Sequence, residues 1–283
     1  MVRIDAHSHI WTPDTIAYPL AAGWRKANME PASFTAEELL QHMQQSKVDK
    51  TVLIQMSFYG YDNSYMLDTI RKYPGKFAGV AVIDQDMNRV DVEMRKQKGL
   101  GVTGFRIFPK NQMEESWLGS EVMHTMFDTA AAEKLNMCCL IDAAHLEALD
   151  RMCRNFPQTP VVIDHMARIG VDGTIRESEV QQLCSMARHP EVTVKVSAFY
   201  ALGKKTMPYH DLAPMIQQLY KAFGPERLMW ATDCPFQVGA PHTYAASLAL
   251  IEQGLTFLSP SDREWLLGKT AERVFFATQK NGS

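Results

Sequence analysis

The sequence predicts an α/β protein built as one (β/α)8 barrel, also called a TIM barrel. Eight short apolar runs rich in β-branched residues recur along the chain, and each is followed by a longer segment with helical periodicity and a turn. Most of these runs are continuously apolar, which is typical of parallel strands buried on both faces. No linker divides the chain, so we expect a single domain over residues 1–283. A doubly wound open sheet is the alternative.

The predicted strands are spread over the whole chain. They span residues 2–6, 51–55, 77–83, 101–108, 136–141, 160–163, 192–197 and 228–232. Helical patterns lie at about 120–135, 145–155, 178–188, 211–223, 243–253 and 261–276. Thr35 and Glu38 form a capping box that predicts a further helix start. Asp62 or Asn63 is expected to cap the next helix, and Ser261 the last one.

The composition excludes several classes of protein. Lysine and arginine number 29 and aspartate and glutamate 32, with no long run of like charge, so nucleic acid is not an expected partner. No apolar stretch has the length of a signal peptide or a membrane span, and we expect a cytoplasmic protein without a membrane partner. The five cysteines include no C-x-x-C pair, which favours reduced thiols. Whether the chain forms a homo-oligomer stays open.

Polar residues end three of the predicted strands. His7 and His9 follow the first, two residues apart on one side of an extended segment. His165 ends the sixth strand, and Asp233 ends the eighth. In a barrel these strand ends meet at one face, which is where catalytic residues lie. The alternative reading is that the histidines are packed or exposed without a role and that Asp233 is structural.

Basic residues occupy the ends of two more strands. Arg106 lies near the end of the fourth strand, where it either faces the barrel interior or is solvated at the surface. Lys195 and Ser197 share one face of the seventh strand because side chains alternate along a strand. Chance would scatter such residues along the chain instead of placing them all at carboxyl ends of strands.

One glycine motif suggests a nucleotide site but lies in the wrong context. Residues 99–104 match G-x-G-x-x-G. In a dinucleotide fold this motif follows a strand and opens a helix, whereas here it follows a helix and precedes a strand. The glycines therefore read as a helix stop and a turn, and no nucleotide cofactor is expected.

The ordered motifs of the chain resemble the amidohydrolase superfamily, in the branch of 2-pyrone-4,6-dicarboxylate lactonase and the sugar lactonases. The similarity begins at Asp5-Ala6-His7-Ser8-His9-Ile10-Trp11 and Tyr18-Pro19. It continues through Gly104-Phe105-Arg106, Ile163-Asp164-His165 and Val194-Lys195-Val196-Ser197 to Trp230-Ala231-Thr232-Asp233 and residues 267–275. The resemblance covers essentially the whole chain and implies a barrel hydrolase that opens a lactone ring of a sugar acid or another carboxylated molecule.

We assign expected roles to the site residues on that basis. Asp233 is the expected general base that activates water, and His7, His9 and His165 are expected to polarise the lactone carbonyl. The expected substrate contacts are Arg106, which would hold a carboxylate, and then Arg168, Lys195 and Gln55.

The sequence leaves the metal open. If a zinc-like divalent ion is present, His7, His9 and Asp233 are the expected ligands, because two nitrogens and a carboxylate with an open position suit a catalytic site. Metal-dependent members of the superfamily usually carry a histidine at the end of strand five, where this chain has Leu140-Ile141-Asp142. The resembling lactonase branch can lack that ligand, so a metal-free site is the alternative.

Two other functions compete with lactone hydrolysis. A metal-dependent decarboxylase of an aromatic or unsaturated acid would use the same barrel, although the missing strand-five histidine counts against it. A non-catalytic barrel that only binds a sugar acid is the other alternative, and the histidines and Asp233 argue against it.

Overall fold

The computed structural model describes residues 1–109 and 117–277, and their strands form one parallel sheet of eight in the order β1 to β8. The strands are β1 Ile4–Ser8, β2 Lys50–Ile54, β3 Phe77–Ala81, β4 Val102–Ile107, β5 Asn136–Cys139, β6 Val161–Ile163, β7 Val192–Val196 and β8 Leu228–Trp230. Each strand pairs with the next along the chain, and helices lie between them. The predicted (β/α)8 barrel is confirmed.

Helices connect the strands in sequence order. They are α1 Ala36–Gln45, α2 Ser64–Lys72, α3 Val90–Gly99, α4 Glu121–Glu133, α5 Leu146–Asn155, α6 Glu177–Ser185, α7 Ala213–Phe223, α8 Tyr244–Ala249 and α9 Pro260–Glu264. Wider turns continue α8 over Leu250–Gly254 and α9 over Trp265–Lys269 and Glu272–Phe276. Within the two described ranges, no helix combines the length and the apolar character that crossing a bilayer requires.

The predicted capping residue is found at the start of α1, whereas α9 is capped by a different residue from the one predicted. The Thr35 side chain accepts a hydrogen bond from the Glu38 amide, and the Glu38 side chain returns one, as a capping box does. The cap of α9 is Ser259 and not Ser261. Pro260 has no amide hydrogen and a φ suited to a first helical turn, so it places the helix start one residue after Ser259.

The core has two layers. Inside the barrel, apolar side chains of alternate strand positions pack with residues from the last helical segment, among them Ile4, Val52, Val80, Met229 and Phe275. A larger apolar layer fills the space between strands and helices. Since the interior is filled with side chains, the carboxyl ends of the strands are left to form a site at one face of the molecule.

The first and last strands are joined by polar contacts. The His9 amide donates to the Cys234 carbonyl, and the Asp233 amide donates to the His7 carbonyl. Below them the Asp5 carboxylate accepts from the Thr232 amide. These bonds bring the histidines after β1 next to Asp233.

Candidate active site

A cavity of about 680 Å³ opens at the carboxyl ends of the strands. It is lined by residues at or just after the carboxyl ends of all eight strands, including His9, Gln55, Arg106, His165, Arg168, Tyr200 and Asp233. His9, His165 and Asp233 are themselves buried, so they form the floor of the cavity. The three predicted strand ends therefore meet at one place.

His9 and Asp233 meet on this floor with His7, which is fully buried just beneath it and is not among the described lining residues. The His7 Nε2 and His9 Nε2 atoms are 3.3 Å apart. The Asp233 Oδ1 atom lies 3.2 Å from His9 Nε2 and 3.4 Å from His7 Nε2. The pairing of β1 with β2 changes register between Asp5 and Ser8, and His7 lies within this irregular stretch.

His165 completes the group from β6. Its Nδ1 atom is 2.8 Å from Ser197 Oγ, while Nε2 lies 3.9 Å from Asp233 Oδ2. Burial lowers the pKa of His165 to about 4, despite the opposing effect of the Asp233 charge, so the imidazole is neutral at pH 7. The Ser197 hydroxyl therefore orients a neutral ring toward the carboxylate.

Asp233 stays ionised in this environment. Burial by itself would raise the pKa of its carboxyl, but the imidazoles of His165, His9 and His7 outweigh burial and hold that pKa below its usual range. The Tyr200 hydroxyl donates to Asp233 Oδ2 at 2.7 Å. Burial, followed by the Asp233 charge, raises the pKa of Tyr200, so this phenol remains protonated and keeps donating.

A buried ion pair lies under His7. The Lys195 ammonium is 2.9 Å from Asp164 Oδ1 and 3.2 Å from His7 Nδ1, and none of the three side chains is exposed. Burial opposes ionisation of Asp164, yet Lys195 and then His7 hold its pKa well below the usual range. The predicted role of Lys195 as a substrate contact has less support, since Lys195 is not among the described side chains that line the cavity.

The other predicted substrate contacts line the cavity. Arg106 lies on its wall, with Nε 3.8 Å from Asp164 Oδ2. Arg168 is half-exposed and forms an ion pair of 2.7 Å with Asp142, the residue that stands where strand five lacks a histidine. Gln55 donates from Nε2 to the carbonyl of Asp62. The wall therefore carries two guanidinium groups above a floor of imidazoles and one carboxylate.

Comparison with known proteins agrees with this arrangement. Residues 4–277 match the amidohydrolase family. The chain belongs to the amidohydrolase family.

Two relatives and a solved structure illustrate what this amidohydrolase is similar to. It is 26% identical to an L-fucono-1,5-lactonase of Burkholderia ambifaria over 289 residues, which cover 99% of this chain and 97% of that protein. It is 27% identical to a 2-pyrone-4,6-dicarboxylate hydrolase of Comamonas testosteroni over 82% of this chain and 76% of that protein. A zinc-bound amidohydrolase structure from Burkholderia multivorans superposes with a TM-score of 0.80 at 20% identity, covering 97% and 99% of the two chains.

The side chains at the floor of the amidohydrolase cavity offer nitrogen and oxygen atoms that could serve as ligands of a divalent ion. The Nδ1 atom of His9 is 2.9 Å from the Ile54 carbonyl, which can only accept a hydrogen bond, so Nδ1 carries a proton and Nε2 is the nitrogen available as a ligand. That Nε2 atom faces Asp233 Oδ1, which has no hydrogen-bond partner among the described residues. Ligands bound tetrahedrally at zinc distances lie about 3.3–3.5 Å apart, as these atoms do.

A related grouping includes the third histidine. One ligand atom each from His7, His165 and Asp233 lies within 4.8 Å of the other two, and all three residues are buried. The sequence-predicted set His7, His9 and Asp233 has the shorter separations. Both groupings contain His7 and Asp233, so these two residues are common to any arrangement that would hold a metal.

Three residues that contact the predicted site residues received no role in the sequence analysis. Asp164 contacts Lys195, Ser197 contacts His165, and Tyr200 contacts Asp233. A signal existed for Asp164, because a carboxylate between a buried strand and a histidine is costly unless it is paired. Tyr200 has no such signal, since it follows β7 in an irregular segment where periodicity does not apply.

Proposed function

We propose that this amidohydrolase opens a lactone ring by hydrolysis and that Asp233 is its general base. The observation that carries the proposal is the convergence of two imidazoles and one ionised carboxylate on the floor of a cavity, with a third imidazole directly beneath them and two guanidinium groups on the wall. The similarity to lactone-hydrolysing relatives over most or all of the chain supports the same reaction.

Asp233 first accepts a proton from a water molecule, and the oxygen of that water adds to the lactone carbonyl carbon. The carbonyl oxygen becomes an oxyanion, and the imidazole groups at the floor stabilise the negative charge as it develops. The carbonyl then reforms, the bond to the ring oxygen breaks, and Asp233 returns its proton to that oxygen. The product is one open-chain hydroxy acid.

We assign substrate binding to side chains on the wall of the cavity. Arg106 holds a carboxylate of the substrate, because a planar guanidinium can donate two parallel hydrogen bonds to it. Arg168 and Gln55 are additional contacts. Lys195 acts from beneath, by fixing Asp164 and His7.

His7, His9 and Asp233 are the residues that would hold a divalent ion. Such an ion would polarise the carbonyl and lower the pKa of a bound water. Metal content measured on the purified protein, together with activity after chelation, distinguishes a metal-dependent site from a metal-free site. Stoichiometric zinc and loss of activity on chelation would assign the ion, whereas full activity after chelation would assign a metal-free site.

A panel of lactones tests the reaction. Purified protein is mixed with carboxylated lactones and sugar lactones, and acid release is followed with a pH indicator. We expect hydrolysis of at least one class. Release of carbon dioxide from unsaturated or aromatic acids, without lactone hydrolysis, would instead indicate the decarboxylase.

The substitution Asp233→Asn tests the base. Removal of a general base lowers kcat by about 10²–10⁴-fold, and we expect a loss in this range. Circular dichroism of the variant serves as the control for folding. Lactone turnover at the wild-type rate in a folded Asp233→Asn protein would contradict the assignment.

A further inference from the structure

Exposed apolar side chains surround the mouth of the cavity. Trp24, Tyr61 and Val171 are 38%, 49% and 41% exposed, and all three line the cavity. They come from the segments after β1, β2 and β6, which are distant in sequence. Single exposed apolar residues are ordinary on a protein surface, but several at the rim of one cavity mark a binding surface.

The floor of the same cavity has the opposite character. His9, Gln55, His165 and Asp233 are each no more than 6% exposed. Exposure therefore separates a polar floor, where the proposed chemistry takes place, from a mouth where Trp24, Tyr61 and Val171 are exposed together with the short polar side chain of Ser57. The cavity is also lined by Met56, Phe108, Leu140 and Leu202, whose side chains offer no strong hydrogen-bonding groups.

The size of the cavity indicates a substrate larger than one lactone ring. A volume of about 680 Å³ lies within the range of pockets that enclose drug-sized ligands. The ring faces of Trp24 and Tyr61 and the Val171 side chain form no hydrogen bonds, so hydroxyl groups of a polyhydroxylated chain laid against them would lose hydrogen bonds to water, which is unfavourable. An alkyl or aryl group would gain from leaving water.

We propose that the mouth of the cavity is a subsite for an apolar substituent of the substrate, alkyl or aryl, contacted by Trp24, Tyr61 and Val171. The inference rests on the proposed function, because the lactone and its carboxylate occupy the floor and the wall. The substrate class is then a carboxylated lactone that carries an apolar substituent, and not a polyhydroxylated sugar lactone.

Binding of simple carboxylates tests this subsite without using turnover. Hexanoate and gluconate have the same six-carbon chain and carboxylate and differ in the hydroxyl groups of gluconate. Calorimetry on the full protein is expected to give tighter binding of hexanoate. From butyrate to octanoate, affinity is expected to rise by about two- to fourfold per methylene, as burial of each CH₂ predicts.

Substitutions at the mouth test whether the gain in affinity per methylene arises there. Trp24→Ala and Val171→Ala are expected to reduce the gain in affinity per methylene by at least half. Trp24 also contacts the Phe58 ring, with centroids 4.9 Å apart, so Val171→Ala retains the test if Trp24→Ala does not fold. Leu100→Ala is the matched control, because Leu100 is 45% exposed but is not among the lining residues.

Three results would overturn the subsite. They are tighter binding of gluconate than of hexanoate, the same gain per methylene in both folded variants as in wild type, and no measurable binding of any of these carboxylates. Failure of the proposed function would give a different result. Carboxylate affinity would still rise with chain length, and Val171→Ala would still reduce that rise, but no lactone in the panel would be hydrolysed.

Discussion

Individual side chains at the floor of the cavity are held by partners that lie outside the catalytic group. Tyr200 donates to Asp233 Oδ2, so that Oδ1 remains directed toward His7 and His9. Ser197 contacts His165, and the Ile54 carbonyl contacts His9. Each partner restricts the orientation of a reacting group, which is the condition for effective acid–base catalysis.

Loss of the Tyr200 hydroxyl should therefore slow the reaction. A hydrogen bond to a charged group contributes about 1.5–3 kcal/mol. We expect Tyr200→Phe to lower kcat/KM by about 10- to 100-fold in a protein that remains folded, as circular dichroism checks. Tyr220→Phe is the matched control, because it removes a hydroxyl that donates to Asp262 away from the cavity. Equal rates for Tyr200→Phe and wild type in a steady-state assay would show that this contact does not assist Asp233.

Removal of one partner of the buried Lys195–Asp164 pair should strongly destabilise the protein. Neither side chain is exposed, so Lys195→Met or Asp164→Leu leaves the other charge buried without its partner. We expect each single variant to lose about 3–5 kcal/mol in the free energy of unfolding. The double variant should lose less than the sum of the two, as urea unfolding followed by tryptophan fluorescence can measure. Additive losses would mean that the two charges are not coupled.

At the scale of elements, another buried carboxylate connects helices on the outside of the barrel. Asp150 on α5 accepts from Arg188, which follows α6, and lies 2.7 Å from His189 Nε2. Arg154 adds an ion pair at 2.9 Å. Burial opposes ionisation of Asp150, but Arg188 and then His189 outweigh it and lower the pKa of this carboxyl.

The depressed pKa of Asp150 predicts a pH-dependent contribution to stability. The contribution is complete above the pKa of the unfolded carboxyl, about 3.9, and is lost as pH falls through the lower folded pKa. We expect Asp150→Asn to lose about 1–3 kcal/mol at pH 7 and the difference from wild type to shrink below about pH 4. Unfolding curves at both pH values check this. A difference that is unchanged at low pH would exclude ionisation as its source.

At the scale of the whole molecule, closure of the barrel depends on the buried carboxylate of Asp5. Its Oδ1 accepts from the amides of His7 and Thr232. Its Oδ2 accepts from the hydroxyls of Ser8, Thr232 and Tyr244. One side chain thus satisfies five donors on β1, on the segment after β8, and on α8.

Removal of this carboxylate should weaken the closure. Asp5→Ala leaves two buried amides without their acceptor, and we expect a loss of about 3 kcal/mol or more in the free energy of unfolding. Asp5→Asn should lose less, because an amide oxygen can still accept from both backbone groups. Asp128→Ala, an exposed position on α4, is the control. Chemical denaturation measures all three, and equal losses for Asp5→Ala and Asp128→Ala would disprove the role in closure.

The sequence by itself determined the barrel and predicted most of the side chains that meet in the candidate site. Continuous apolar runs predict buried parallel strands, and the polar residue that follows such a run marks the end of the strand. Because strand ends meet at one face of a barrel, His7, His9, His165 and Asp233 could be predicted to lie close together, as they do in the structure. Only the tertiary structure decided how these groups are partnered. Asp164, Tyr200 and the floor–mouth division depend on distances between loops of different strands, and periodicity carries no information on those distances. The physical reason is that a pattern along one strand reports which face is buried, whereas a hydrogen bond such as Tyr200 to Asp233 requires the closed barrel to bring two strand ends together.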